Sequence, residues 1–114
     1  MNKSMGPQQL VLDLLKRSTC HVKVAAVIVD NRGRIFSWGW NSMGGDGFGE
    51  HAEAAAIRRG NKDRMLGGMI YIAAERGRNG KIVTAKPCEF CSRILEGWGL
   101  FVCYRDKDGI WRFN

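Results

Sequence analysis

Val22-Lys23-Val24-Ala25-Ala26-Val27-Ile28-Val29 contains one charged residue and five β-branched ones. A strand wetted on one face alternates apolar with polar residues. This run does not, so it reads as a central strand covered on both sides. Asp30-Asn31-Arg32-Gly33 follows as a turn, with Gly33 supplying the left-handed position, and residues 34–40 return as the second arm of an antiparallel hairpin. Upstream, Gly6-Pro7 opens a helix with Pro at its first position, where no amide hydrogen bond is lost. Leu10, Leu14 and Val11 share one face of that helix, which runs to about Lys16. Residues 1–5 are expected to be loose.

Downstream of the hairpin, Gly44, Gly45, Gly47 and Gly49 leave no regular element that fits residues 41–50. This loop delivers the chain to His51. Ala52-Glu53-Ala54-Ala55-Ala56-Ile57-Arg58-Arg59 is a strong helix former, stopped at Gly60-Asn61, so His51 lies at a helix N-terminus. Residues 69–74 form a third strand and residues 88–96 a third helix with Pro87 ahead of it. Residues 100–104 form a fourth strand. Lys107-Asp108-Gly109 turns the chain into a short fifth strand over residues 110–113. The order α-β-β-α-β-α-β-β predicts a sheet with helices packed on it.

Both chemistry-bearing segments fall at helix starts. His51-Ala52-Glu53 and Pro87-Cys88-Glu89-Phe90-Cys91 offer one imidazole nitrogen and two thiolates, with His51 and Cys88 37 residues apart. Three protein ligands leave the fourth tetrahedral position of a zinc ion open for water, as a catalytic zinc requires. Cys88 and Cys91 are three apart on a helix and can face one ion, and the helix start favours their thiolates. Glu53 can approach the open position without ligating. The competing reading is a four-ligand structural zinc, for which Cys20, His21 or Cys103 would have to supply the fourth donor. Cys103 lies in the apolar run Leu100-Phe101-Val102-Cys103-Tyr104 and reads as a buried small hydrophobe.

The two segments resemble the H-x-E and P-C-x-x-C signature of zinc-dependent nucleobase deaminases, and the chain is similar to the cytidine/deoxycytidylate deaminase superfamily. The resemblance spans roughly residues 7–113, with the two motifs as its specific part. It implies an α/β fold, three-layer-like, with a mixed five-stranded sheet and both motif helices on one face. It also implies Zn2+ held by His51, Cys88 and Cys91, with Glu53 as the catalytic acid and base. Asn41 matches an Asn that holds the sugar or base in relatives, and Ala52 and Cys88 match positions whose backbone touches the pyrimidine. Trp40, Phe48 and Phe90 are candidate stacking aromatics, Phe48 favoured because a glycine-rich loop suits a gating residue.

Composition limits the setting. The 114 residues suit a single domain, 45% hydrophobic and 25% charged as in ordinary soluble proteins. No run approaches the roughly 18 apolar residues of a membrane span, and no signal-peptide core is present. With two of four cysteines taken by the metal motif, a reducing cytoplasm is expected. The formal charge of +7 is uneven: residues 1–57 carry +1 and residues 58–114 carry +6. Arg76, Arg78, Lys81 and Lys86 form an acid-free stretch just before the cysteine pair. There Arg78 and Lys81 are candidate phosphate contacts, or else part of a solvated basic surface.

Three functions compete. The first is hydrolytic deamination of cytosine in a free nucleoside or nucleotide, the partner then being a small molecule. The second is deamination of cytosine in single-stranded DNA or RNA, and the third a non-catalytic zinc-bearing binding module, against which Glu53 argues. Homo-oligomerisation is expected as well, with Trp98, Trp111 and Phe113 as interface candidates.

Overall fold

The computed structural model describes residues 6–43 and 49–114. Helix α1 spans Pro7–Leu14 and passes into a 3-10 turn at Leu15–Arg17. Strands β1 (Val22–Val29) and β2 (Ile35–Trp40) form the expected hairpin, with Gly33 at φ 79° in its turn. Helix α2 covers Ala52–Arg59, followed by a 3-10 turn at Lys62–Arg64. Then come β3 (Met69–Arg76), β4 (Ile82–Val83), α3 (Glu89–Gly97), β5 (Phe101–Arg105) and β6 (Trp111–Phe113). The expected looseness of residues 1–5 lies outside the described residues.

The sheet runs β2-β1-β3-β5-β6, with β4 paired to β3 beside that path. It is mixed: β3 and β5 are parallel and the other pairings antiparallel. A parallel pair needs a crossover, and α3 supplies it. The sheet has six strands where the sequence predicts five. The extra one, β4, pairs Val83 with Ala74 and Ile82 with Glu75, turning part of the basic stretch into a hairpin.

Two apolar layers enclose the sheet. On one face Ala26, Ile28, Ile70, Ile72, Ala74 and Val102 pack with Ala52, Ala56 and Ile57 of α2 and Leu95 of α3. On the other, Ala25, Val27 and Ala73 meet Val11, Leu14 and Leu15 from α1 and its 3-10 turn. Residues 25–29 of β1 are buried, as its apolar run predicts for a central strand. Cys103 is also buried. Among the described residues, no helix is long and apolar enough to cross a membrane.

One contact seats α2. A Cβ on Gly39 would lie 2.6 Å from the Ala56 nitrogen, 2.7 Å from Ala55 Cβ and 3.0 Å from the Ala52 carbonyl oxygen. The missing side chain on β2 and the alanines on α2 let helix backbone rest against strand backbone. Ser37 Oγ adds a buried hydrogen bond to the Ala56 carbonyl at 2.5 Å. The helix ends at Gly60, the expected stop, with φ −85°. A Cβ at Gly60 would meet Met65 Cε at 2.7 Å, so packing sets this glycine.

Candidate active site

His51 is the N-cap of α2 and Cys88 the N-cap of α3, so the N-termini of the two helices bring the predicted ligands together. Their backbones are extended there (ψ 151° and 167°) and turn into helix at the next residue. Cys88 Sγ accepts the Cys91 N–H at 3.4 Å, and Cys91 Sγ lies 3.8 Å from His51 Nδ1. Two donors on one tetrahedral zinc, at bond lengths near 2.1 and 2.3 Å, stand about 3.6 Å apart, so the His51–Cys91 pair is close to ligand spacing. Among the described residues, no three His, Cys, Asp or Glu side chains close up into a complete metal cage. The donor set nevertheless suits a divalent cation.

Electrostatics at the cysteine pair point the same way. The Cys91 N–H and then the Cys91 side chain hold the Cys88 thiol below its ordinary range. Burial, then hydrogen bonding with Cys88, then the Glu53 charge push Cys91 up to about 12. The Glu53 carboxylate disfavours both thiolates. A zinc ion at this point would reverse that opposition. His51, Cys88 and Cys91 would hold it.

Two clefts meet at this wall. The more polar one, about 250 Å³, is lined by Val22, Val24, Asn41, His51, Ala52, Glu53, Ala74, Thr84, Ala85, Lys86, Pro87, Cys88 and Cys91. It gathers all three predicted ligands, Glu53, Asn41 and Ala52. The other, about 380 Å³, is largely apolar and runs between α2 and α3, past Ala54, Ile57, Phe90, Ile94 and Leu95. Neither Cys20 nor His21 lines either of the two clefts.

Other predicted contacts are placed differently. Asn41 faces the polar cleft, but its side chain is mostly committed. Oδ1 accepts from Ser18 Oγ at 2.6 Å and from the Val24 N–H at 2.9 Å, while Nδ2 donates to the Val22 carbonyl at 2.8 Å. One Nδ2 hydrogen is left over. Trp40 is half-buried, with Arg59 4.5 Å and Arg17 5.7 Å from its ring centroid, and it packs in the layer under α1 and lines neither cleft. Phe90 is exposed and borders the apolar cleft, away from Asn41. Phe48 lies outside the described residues. Arg78 and Lys81 line a separate groove with His21, Val22, Arg76 and Asn79, and only Lys86 of the basic stretch enters the polar cleft.

Sequence reasoning placed Lys86 beside the cysteine pair but missed Thr84 and Ala85, which wall the polar cleft with it. It also missed Glu50, whose carboxylate takes both Arg58 Nε (2.8 Å) and an Arg58 terminal nitrogen (2.7 Å).

Comparison with known proteins identifies the fold and the family. No curated protein matches the chain in sequence. Among solved structures, cytidine deaminase from Burkholderia pseudomallei superposes with a TM-score of 0.68 at 18% identity, covering 95% of this chain and 88% of that one. Cytidine deaminase from Mycobacterium leprae gives 0.60 at 20% identity, covering 93% and 88%. The dCMP deaminase of cyanophage S-TIM5, in apo form, gives 0.62 at 23% identity, covering 91% and 83%. At such identities the likeness establishes the fold. A family model, the cytidine and deoxycytidylate deaminase zinc-binding region, matches residues 6–101, and the chain belongs to that family.

Proposed function

We propose that residues 1–114 form a single deaminase domain that removes the amino group of cytosine, in a free nucleoside or nucleotide, by hydrolysis. The observation that carries this is the meeting of His51, Glu53, Cys88 and Cys91 on one wall of a cleft at two helix N-termini. Bound zinc would supply water acidified enough to attack near neutral pH. Glu53, two residues beyond His51 and on the same wall, takes the proton from the attacking water. It passes that proton to the pyrimidine ring nitrogen, then takes the proton of the newly added hydroxyl and gives it to the amine, which leaves as ammonia while the ring carbon keeps its oxygen as a carbonyl.

The remaining residues orient the base. The amide N–H groups in the first turn of α2, including that of Ala52, have no partner within the helix and point toward the helix start. Asn41 offers its one uncommitted N–H to a sugar or base oxygen, and its three other hydrogen bonds hold that donor still. Val22, Val24, Ala74 and Pro87 supply apolar walls that limit water around the ring.

A single-stranded nucleic acid is the second substrate reading, favoured by the run of cations on the β3–β4 hairpin. The free state of all four cysteines supports a reducing, cytoplasmic setting. The deciding experiment measures ammonia release and product mass in parallel for cytidine, deoxycytidine, their monophosphates and a cytosine-containing single strand. Uracil-type products from the small substrates are expected. Turnover confined to the strand would transfer the assignment to the second reading, and no turnover on any of them would reject both.

A further inference from the structure

The β3–β4 hairpin builds a further cleft, about 530 Å³, lined by His21, Val22, Arg76, Arg78, Asn79 and Lys81. Val22 belongs to this cleft and to the polar cleft beside Glu53, so the two share a wall. No carboxylate lines it. Among the described residues, Arg76, Arg78 and Lys81 make no side-chain ion pair, whereas Arg58, Arg64, Arg93 and Arg112 are each held by a carboxylate. Three neighbouring cations without counter-charges repel one another, and an anion seated among them relieves that repulsion.

The cleft is also braced. The Gly77 N–H donates to the His21 carbonyl at 2.8 Å, which ties the hairpin to the chain entering β1. A Cβ on Gly77 would lie 3.0 Å from the Cys20 carbonyl oxygen, so the two segments touch backbone to backbone. At the tip, the Arg76 N–H reaches the Lys81 carbonyl, the Gly80 N–H reaches the Arg76 carbonyl, and Asn79 Oδ1 accepts the Lys81 N–H. Gly80, at φ 70°, makes that turn possible. The cations thus stand on a closed hairpin of fixed backbone, and binding an anion need not order the main chain first.

We infer that this cleft binds the phosphate of a cytosine nucleoside monophosphate whose base occupies the adjoining polar cleft, so that Arg76, Arg78 and Lys81 select nucleotide over nucleoside. The inference rests on the deaminase reading of that adjoining cleft. A mononucleotide is favoured over a strand by what the two clefts lack among the described residues. Neither is lined by Phe, Tyr or Trp, and strand-binding grooves combine positive charge with aromatic platforms for successive bases.

The test compares the zinc-loaded protein with the Arg78→Ala/Lys81→Ala double variant and with Arg78→Lys. Substrates are deoxycytidine, its 5′-monophosphate and a cytosine-containing oligonucleotide, with inorganic phosphate as a binding probe followed by NMR shifts. The monophosphate should be preferred over the nucleoside by about tenfold or more in kcat/KM, and the double variant should erase that preference mainly through KM. Nucleoside turnover should stay unchanged, and Arg78→Lys should retain part of the preference. Saturable phosphate shifts at residues 76–81 should disappear in the double variant.

Equal losses for nucleoside and monophosphate would overturn the inference. So would an oligonucleotide preference with a steep salt dependence, which would replace it with strand binding. If no cytosine compound is turned over, the deaminase reading fails by itself. Phosphate shifts that persist in the double variant would then overturn the anion site, and their loss would uphold it.

Discussion

Arg58, in the last turn of α2, reaches back past the start of its own helix and grips both carboxylate oxygens of Glu50, the residue before His51. The other side of Glu50 is tied too. Its N–H and C=O exchange hydrogen bonds with Ser42 at 3.1 and 3.0 Å, an isolated antiparallel bridge. The chain arriving at His51 is therefore pinned both to the segment leaving β2 and to α2. A bidentate guanidinium–carboxylate fork fixes direction as well as distance. The pair is largely exposed, so it adds little to stability. Its effect should appear in how His51 is held. Glu50→Ala and Arg58→Ala should each raise the zinc dissociation constant severalfold, measured by chelator competition, with little change in Tm. The double variant should be no worse than either single one. Unaltered zinc affinity with a lowered Tm would make the fork an ordinary surface ion pair.

Glu53 and Cys88 line the same cleft, yet their removal should look different. Glu53→Ala should lower kcat by about 100-fold or more, leaving one zinc per chain and a native far-UV spectrum, because it strips only proton transfer. Cys88→Ala should lose the metal along with activity and should also lower Tm, since metal binding in a small domain contributes to folding. Zinc content near zero in the unmodified protein would contradict both expectations. Joint loss of metal and activity in Glu53→Ala would show that Glu53 ligates.

Gly39 should tolerate no side chain. A methyl group there would sit within 2.7 Å of Ala55 Cβ and closer still to the Ala56 nitrogen, so α2 would have to shift off β2. Gly39→Ala should cost about 1–3 kcal/mol by urea titration, and Gly39→Val more. The displacement would carry His51 and Glu53 with it, so activity should fall further than stability alone explains. A Gly39→Ala protein of unchanged stability would show that the strand and helix separate easily.

Asp30 supplies a pH signature. The Arg64 hydrogen bond, aided by the backbone N–H groups of Arg34 and Arg32, lowers its carboxyl from 3.8 to about 2. A folded-state pKa below the unfolded one stabilises above the unfolded value and is lost as pH falls through the folded one. Asp30→Asn should therefore be less stable than the parent at pH 7, and the gap should close between about pH 4 and pH 2. Arg64 also lies 4.7 Å from the Phe36 ring centroid, a contact that does not titrate, so Arg64→Ala should leave a residual gap in acid. Urea titrations at pH 7, 4 and 2.5 measure both, and an Asp30→Asn gap that is constant with pH would rule out the Arg64 pairing as its origin.

What was legible in the sequence follows from the range of the forces involved. β1 and α2 were read at their observed bounds because each carries a continuous local pattern, a β-branched run and an alanine-rich run. The candidate ligands were legible because two motifs place their donors at helix starts, a relation within a few residues. β4 was missed because two residues, Ile82 and Val83, are too few to show a period, and only pairing with Ala74 and Glu75 makes them a strand. Asn41 was read as a substrate contact, and its anchoring within the fold was not visible in the sequence. The hydrogen bonds that engage it come from Ser18, Val22 and Val24, residues 17 to 23 positions away that the hairpin brings back. The surroundings of Trp40 were hidden for the same reason, since Arg17 and Arg59 reach its ring from two distant segments.

Self-association should draw on the exposed side of α3. Phe90, Ile94 and Trp98 recur every four residues there and remain 72%, 41% and 38% exposed, while Leu95 is the buried anchor of the helix. Asn114 Nδ2 donates to Ser92 Oγ, which brings the end of β6 beside this helix and sets Phe113, 74% exposed, next to the same region. Of the three aromatics expected at an interface, Trp111 differs. It packs edge-on against Tyr71 at 6.1 Å and belongs to the layer under α1. An apolar stripe continued by a terminal aromatic exceeds the scattered exposure of ordinary monomers, and a second copy of the chain is the expected cover. Sedimentation at tens of micromolar should show a dimer or larger assembly, and Ile94→Asp with Trp98→Asp should give a folded monomer. A parent protein that stays monomeric across that range would leave the stripe without this role. If the charged variants assembled as the parent does, the interface would have to lie elsewhere.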